Sequence, residues 1–97
     1  MFESRFKSDA VDELFEAILL LKTEEDCYRF FEDLTTVPEI KSLAQRLQVA
    51  KMLVEKETYT TISEKTGAST ATISRVKSSL LYGADGYKLV LRNLSKS

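Results

Sequence analysis

The chain is 97 residues long, which is enough for one domain with one hydrophobic core and too short for two. Hydrophobic residues make up 43% and charged residues 30%, so the composition excludes a disordered chain. The net charge of -1 hides an asymmetry, because residues 1–40 hold 11 acids and 4 bases whereas residues 41–97 hold 4 acids and 10 bases. The second part can therefore attract phosphates although the whole chain is slightly acidic.

The inventory of reactive side chains argues against catalysis. There is no histidine, and the single cysteine, Cys27, can form neither an internal disulfide nor a Cys/His zinc site. No nucleophile with a neighbouring base and no phosphate-binding glycine loop is visible, so we predict no enzyme and no metal.

The first residues are acidic where a secretory signal is basic, and the longest apolar run, residues 17–21, is too short for a membrane span. We expect a cytoplasmic protein without a membrane partner.

Two helices are predicted in the acidic part. An apolar stripe at helical spacing covers residues 9–21 and consists of Val11, Leu14, Phe15, Ile18 and Leu21. Thr23 followed by three acids is typical of the start of a second helix. Its expected buried face consists of Cys27, Phe30, Phe31 and Leu34. In this interpretation Cys27 is a small core residue and not a redox switch.

A long third helix is predicted from the capping box of Thr36 and Glu39, with Pro38 in the first turn, to about residue 56. Its apolar positions are Ile40, Leu43, Ala44, Leu47, Ala50, Leu53 and Val54. Two short helices follow at residues 59–66 and 70–81, separated by Gly67 and with Ser69 as the cap of the second. After a turn at residues 82–86, a last amphipathic helix contains Tyr87, Val90, Leu91 and Leu94.

Residues 59–81 have the pattern of a helix-turn-helix. Such a motif needs a small residue in its first helix, here Ser63, a glycine in the turn, here Gly67, and apolar residues that hold the second helix. The apolar positions are Ile62, Ala68, Ile73 and Val76. An ordinary helical hairpin with a solvated polar face is the alternative interpretation.

The second helix of this motif leaves short polar and cationic residues on its outer side, and residues 69–84 contain no acid. Hydroxyl groups, small methyl groups and cations suit the edges of bases and the phosphates of a DNA major groove. The predicted DNA-binding residues are Thr60, Ser63, Ser69, Thr70, Ala71, Ser74, Arg75, Lys77 and Ser78.

Residues 34–80 resemble the Trp-repressor superfamily, and more closely its YerC/YecD-like branch of small regulators. The most specific parts are SLAQRLQVAKMLV at residues 42–54 and GASTATISR at residues 67–75. The resemblance implies an all-α, intertwined homodimer of about six helices per chain that presents two recognition helices. It also implies base contacts for Thr70, Ala71 and Ser74, and phosphate contacts for Thr60 and Ser63.

The same resemblance implies a possible effector pocket at Arg46, Arg75 and Thr72, because two arginines sandwich L-tryptophan in the repressor. Where the repressor has a glycine beside the second arginine, this chain has Val76, whose side chain should fill part of the ligand space. Tryptophan is therefore not the expected corepressor, although another small molecule stays open. Pairing of Arg46 and Arg75 with acids or phosphates is the alternative.

Together these patterns predict one helical DNA-binding domain, residues 1–97. We predict a sequence-specific transcriptional regulator, with repression as the favoured direction, that reads double-stranded DNA as a homodimer through residues 70–81. The alternative is a helix-turn-helix scaffold that acts as a protein-protein interaction module without specific DNA binding.

Overall fold

A computed structural model of the protein describes residues 2–94, so residues 1 and 95–97 of the predicted domain lie outside the described part. Within it the chain forms six helices and no strand, which confirms the predicted all-α class. The helices are α1 (Asp9–Leu19), α2 (Glu24–Leu34), α3 (Val37–Val54), α4 (Tyr59–Thr66), α5 (Thr70–Tyr82) and α6 (Gly86–Leu94). No helix among the described residues is long and apolar enough to cross a bilayer.

The chain divides into two compact units, Met1–Val37 and Pro38–Ser97. The first unit contains α1 and α2. The α2 helix begins at its predicted cap, since the Thr23 hydroxyl accepts a hydrogen bond from the Asp26 amide. The α1 helix is capped by Ser8, whose hydroxyl accepts a hydrogen bond from the Val11 amide. The α1 helix ends at Leu19 and not at residue 21, because the next two amides bond three residues back, to Ala17 and Ile18, in a tightened last turn.

The predicted buried face of α2 is wrong for the isolated chain. Cys27 is exposed, Leu34 is 48% exposed, and only Phe30 and Phe31 are half-buried, in an edge-to-face pair with ring centroids 5.7 Å apart. On α1, Leu19 is 83% exposed. Two helices of 11 residues each are too small to enclose a core, so the apolar faces of this unit are left open.

The core lies in the second unit, against one side of α5. Its buried members are Val49, Ala50, Ile62, Ala68, Ile73, Val76 and Leu80. Met52, Leu53, Tyr59, Tyr87 and Leu91 pack against them. The four apolar residues predicted to hold the helix-turn-helix are all in this cluster, so that prediction is confirmed. Tyr87 of the predicted last amphipathic helix packs against this cluster, whereas Tyr82, in the predicted turn, is exposed.

The α3 helix has two apolar faces, of which the single chain covers one. Val49 and Ala50 are fully buried against the core, but Ile40 and Leu43 are 38% and 45% exposed and Val54 is 55% exposed. The predicted apolar spine of α3 therefore included residues that point away from the core, and it omitted Val49. Because 18 residues make about five turns, a long amphipathic helix can present apolar residues on more than one side.

Candidate nucleic-acid interface

The turn between α4 and α5 is built as the sequence predicted. Gly67 caps α4 in the left-handed conformation, with a φ of 74°, and its amide donates to the Ser63 carbonyl at 2.8 Å. This conformation favours glycine because a side chain would be strained there. The Ser69 hydroxyl then accepts a hydrogen bond from the Thr72 amide at 3.1 Å, which starts α5. Gly67 and the Ser69 cap thus define the turn of the chain between α4 and α5.

Hydroxyl groups close this turn from within. Ser63 Oγ donates to the Ala68 carbonyl at 2.9 Å, which gives the small residue of α4 a direct contact with the turn. Thr66 Oγ1 donates to the Ile62 carbonyl at 2.7 Å and accepts from the Ala68 amide at 3.1 Å. The bonds to Ala68 satisfy its carbonyl and its amide, which lie in the turn outside both helices.

The α5 helix is anchored on one side and open on the other. Ile73, Val76 and Leu80 are buried, three and four residues apart, so they form one stripe that faces the core. All nine residues predicted to bind DNA are exposed, seven of them between Ser69 and Ser78 and two, Thr60 and Ser63, on α4. Their exposure leaves them accessible to a ligand, and their contacts with DNA stay a prediction.

The cations of α5 are not neutralised by neighbouring acids. Ion pairs join Lys7 to Asp12, Arg29 to Glu25, and Lys88 to Asp85, all outside α5. Neither Arg75 nor Lys77 forms an ion pair within the described residues. Lys77 instead places Nζ 5.8 Å from the centroid of the Tyr59 ring at the start of α4. The open side of α5 therefore carries positive charge that is available to an anion.

The three residues of the possible effector pocket differ in their exposure. Arg46 on α3 and Thr72 on α5 are half-buried, whereas Arg75 is exposed. Thr72 Oγ1 accepts a hydrogen bond from Ser69 Oγ at 3.1 Å. Within residues 2–94, no hydrogen bond or ion pair joins either arginine to the other, to Thr72 or to an acid. Val76 is 1% exposed and belongs to the core.

Sequence reasoning missed one residue beside this site, Gln45. It is half-buried on α3, and its side-chain amide nitrogen donates to the Thr66 carbonyl at the end of α4, at 3.1 Å. The signal in the sequence was its position four residues before the apolar Val49, which the predicted apolar positions of α3 did not include.

These features define an all-helical protein with a helix-turn-helix at α4 and α5. The family model of the Trp repressor protein matches residues 9–95. The chain belongs to the Trp repressor family, as its sequence predicted.

The relatives of the chain agree with this assignment. It is 54% identical to the uncharacterized protein YerC of Bacillus subtilis (strain 168), over 93 residues that make up 96% of this chain and 89% of that protein. A crystal structure from Staphylococcus aureus, provisionally named a Trp repressor, matches with a TM-score of 0.90 and 56% identity over 94% of this chain and 91% of that one. A TrpR-like protein from Eubacterium eligens matches with a TM-score of 0.91 and 58% identity over 94% of each chain.

Proposed function

We propose that the protein is a sequence-specific DNA-binding transcriptional regulator, acting in the cytoplasm as a repressor. The observation that carries this proposal is the exposed side of α5, which is cationic, contains no acid and forms no ion pair with any residue that the structure describes, opposite a stripe buried in the core. Membership of the Trp repressor family supports a regulatory and not a catalytic role.

In this proposal α5 lies in a major groove. Thr70, Ala71 and Ser74 are short, so they let the helix approach the base edges closely, with hydroxyl groups for hydrogen bonds and methyl groups for thymine contacts. Arg75 and Lys77 are long enough to reach guanine edges or phosphates. Because Ile73 and Val76 are buried, the backbone that carries these side chains is held by the core.

We further propose that the functional unit is a homodimer of this chain. One chain leaves large apolar side chains exposed on α1, α2, α3 and α6, including Leu19, Leu34, Leu43 and Leu89. Apolar surface of this extent usually marks an interface. A second copy is the occupant we propose, since a two-fold dimer would present two α5 helices to two half-sites of one DNA duplex.

The proposed regulator does not use L-tryptophan as its corepressor. The repressor has a glycine where this chain has Val76, and the Val76 side chain is packed in the core at 1% exposure. A ligand would have to displace that packing. A different small effector at Arg46 and Arg75 is compatible with their lack of acidic partners within residues 2–94.

The first test is selection of DNA from a randomised duplex pool at about 50 mM and about 200 mM salt, followed by sequencing. We expect enrichment of a palindrome with half-sites about one helical turn apart, and an affinity that falls steeply with salt. Failure to retain DNA at the lower salt would overturn the proposal and would favour the protein-protein interaction module.

The role of α5 is tested with Arg75→Ala on the selected duplex. We expect a loss of about 1–3 kcal/mol that depends on one base pair if Arg75 reads guanine, or a salt slope smaller by about 1 if it contacts phosphate. The matched control is Arg29→Ala, which removes the same side chain from an exposed i,i+4 pair with Glu25 on α2. Equal affinities of wild type and Arg75→Ala would place the DNA-binding surface elsewhere.

A further inference from the structure

A hydrogen bond between distant parts of the sequence connects the scaffold helix α3 to the turn of the helix-turn-helix. Gln45 Nε2 donates to the Thr66 carbonyl at 3.1 Å, across 21 residues of sequence. Thr66 is the last residue of α4, and the carbonyl groups in the last turn of a helix have no partner in their own helix. Gln45 therefore satisfies a group that would otherwise need water.

The position of Gln45 makes this bond more than a local cap. The side chain lies beside Gly67, since a Cβ atom added to that glycine would be 4.0 Å from Gln45 Nε2. Four residues later on the same face of α3, Val49 is fully buried in the cluster that also contains Ile62, Ala68 and Ile73. The contact of α3 with the helix-turn-helix is thus apolar at Val49 and polar at Gln45.

The apolar contact and the hydrogen bond have different physical effects. Apolar packing stabilises the association of α3 with α4 and α5, but it is not directional and tolerates small rotations. A hydrogen bond requires a defined distance and angle, so it fixes the turn in one orientation. The hydroxyl bonds of Ser63 and Thr66 lie within the motif, between α4 and the turn or inside α4, so they do not place the motif on α3.

We propose that Gln45 is a positioning residue for DNA recognition, which holds the turn, and through it α5, in one orientation on α3. This proposal rests on the proposed DNA-binding function. Loss of the bond would leave the core intact and would let the motif sample several orientations, of which only some fit the groove. The apparent affinity is then the intrinsic affinity multiplied by the fraction of molecules in the competent orientation.

The test compares Gln45→Met, which keeps most of the side-chain volume and removes the donor, with Gln48→Met, the same substitution at an exposed position one turn later. Amide hydrogen exchange is measured at Gly67 and Ala68, whose amides are bonded in the turn, and at Ile73 in the core. In Gln45→Met we expect the two turn amides to exchange about fivefold to tenfold faster while Ile73 is unchanged. Affinity for the selected duplex should fall by a similar factor at a temperature where both variants are fully folded. Gln48→Met should behave as wild type.

A donor-retaining variant separates positioning from packing. Gln45→Lys keeps an N–H donor on a long side chain, so it should restore slow exchange at Gly67 and Ala68. Wild-type exchange of these amides in Gln45→Met, or wild-type DNA affinity with faster exchange, would overturn the proposal. If the wild-type protein binds no DNA, the proposed function fails, and a positioning role in DNA recognition fails with it, even where the exchange data show that Gln45 orders the turn.

Discussion

Val76 is the residue at which this chain departs most clearly from the repressor that it resembles. It lies next to Arg75, whose side chain is exposed, yet Val76 is 1% exposed and packs with Ile73 and Leu80. Adjacent residues of a helix point about 100° apart, so the two side chains can serve a surface and a core at once. Whether a ligand fits beside Arg75 therefore depends on the packing of Val76 on the core side of α5.

We predict that L-tryptophan does not bind. Titration calorimetry with the purified protein should show no saturable heat at millimolar ligand. The control is Val76→Ala, which opens space beside Arg75 and should cost about 1–3 kcal/mol of unfolding free energy. Saturable binding of one tryptophan per wild-type chain would contradict the prediction and would require Val76 to leave the core on binding.

At the scale of elements, the end of α3 shows a feature without an evident sequence signal. The Glu57 amide bonds to the Met52 carbonyl at 3.0 Å and the Lys56 amide bonds to the Leu53 carbonyl at 3.0 Å, which is the pattern of a Schellman motif. Lys56 occupies the left-handed position, with a φ of 65°, where a glycine is usual. The helix therefore ends at Val54, earlier than the apolar pattern predicted.

We predict that Lys56→Gly stabilises the protein by about 0.5–1 kcal/mol, because glycine adopts the left-handed conformation without strain. The control is Lys51→Gly, the same substitution at an exposed position inside α3, which should destabilise by about 1 kcal/mol. Urea denaturation of both variants measures the two effects. A Lys56→Gly variant less stable than wild type would mean that the side chain of Lys56 stabilises the end of α3 by more than its backbone strain costs.

Elements with local signals were predicted well from the sequence. The caps of α2 and α5, the end of α4 at Gly67 and the inward stripe of α5 each depend on interactions within a few residues, so composition and spacing reveal them. Gln45 was missed because its acceptor is 21 residues away. Exposure of Cys27 and Leu34 was missed because periodicity tells which face of a helix is apolar, and not whether the same chain covers it.

At the scale of the whole molecule, the uncovered apolar faces lead to a prediction of mass. Light scattering should give twice the 11.0 kDa of one chain. The midpoint of thermal unfolding should rise with protein concentration, because association stabilises the folded state by mass action. A mass of one chain with a concentration-independent midpoint would refute the homodimer.

A variant of α3 examines the same prediction. Leu47 is half-buried, and Leu47→Asp places a charge on an apolar face of the helix, so we expect loss of the folded dimer. Ser42→Asp, an exposed position on the same helix, is the control for the added charge and should retain the wild-type mass. A well-folded Leu47→Asp dimer would show that this face of α3 contributes nothing to assembly.

The short side chains on the open side of α5 have a consequence for the entropy of recognition. Alanine, serine and threonine have few rotamers to lose, so ordering Thr70, Ala71 and Ser74 against a ligand costs little conformational freedom compared with long side chains. Short groups also cannot adjust their reach when the helix is displaced. Recognition by this face should therefore cost little side-chain entropy and be sensitive to small errors in the placement of the helix backbone.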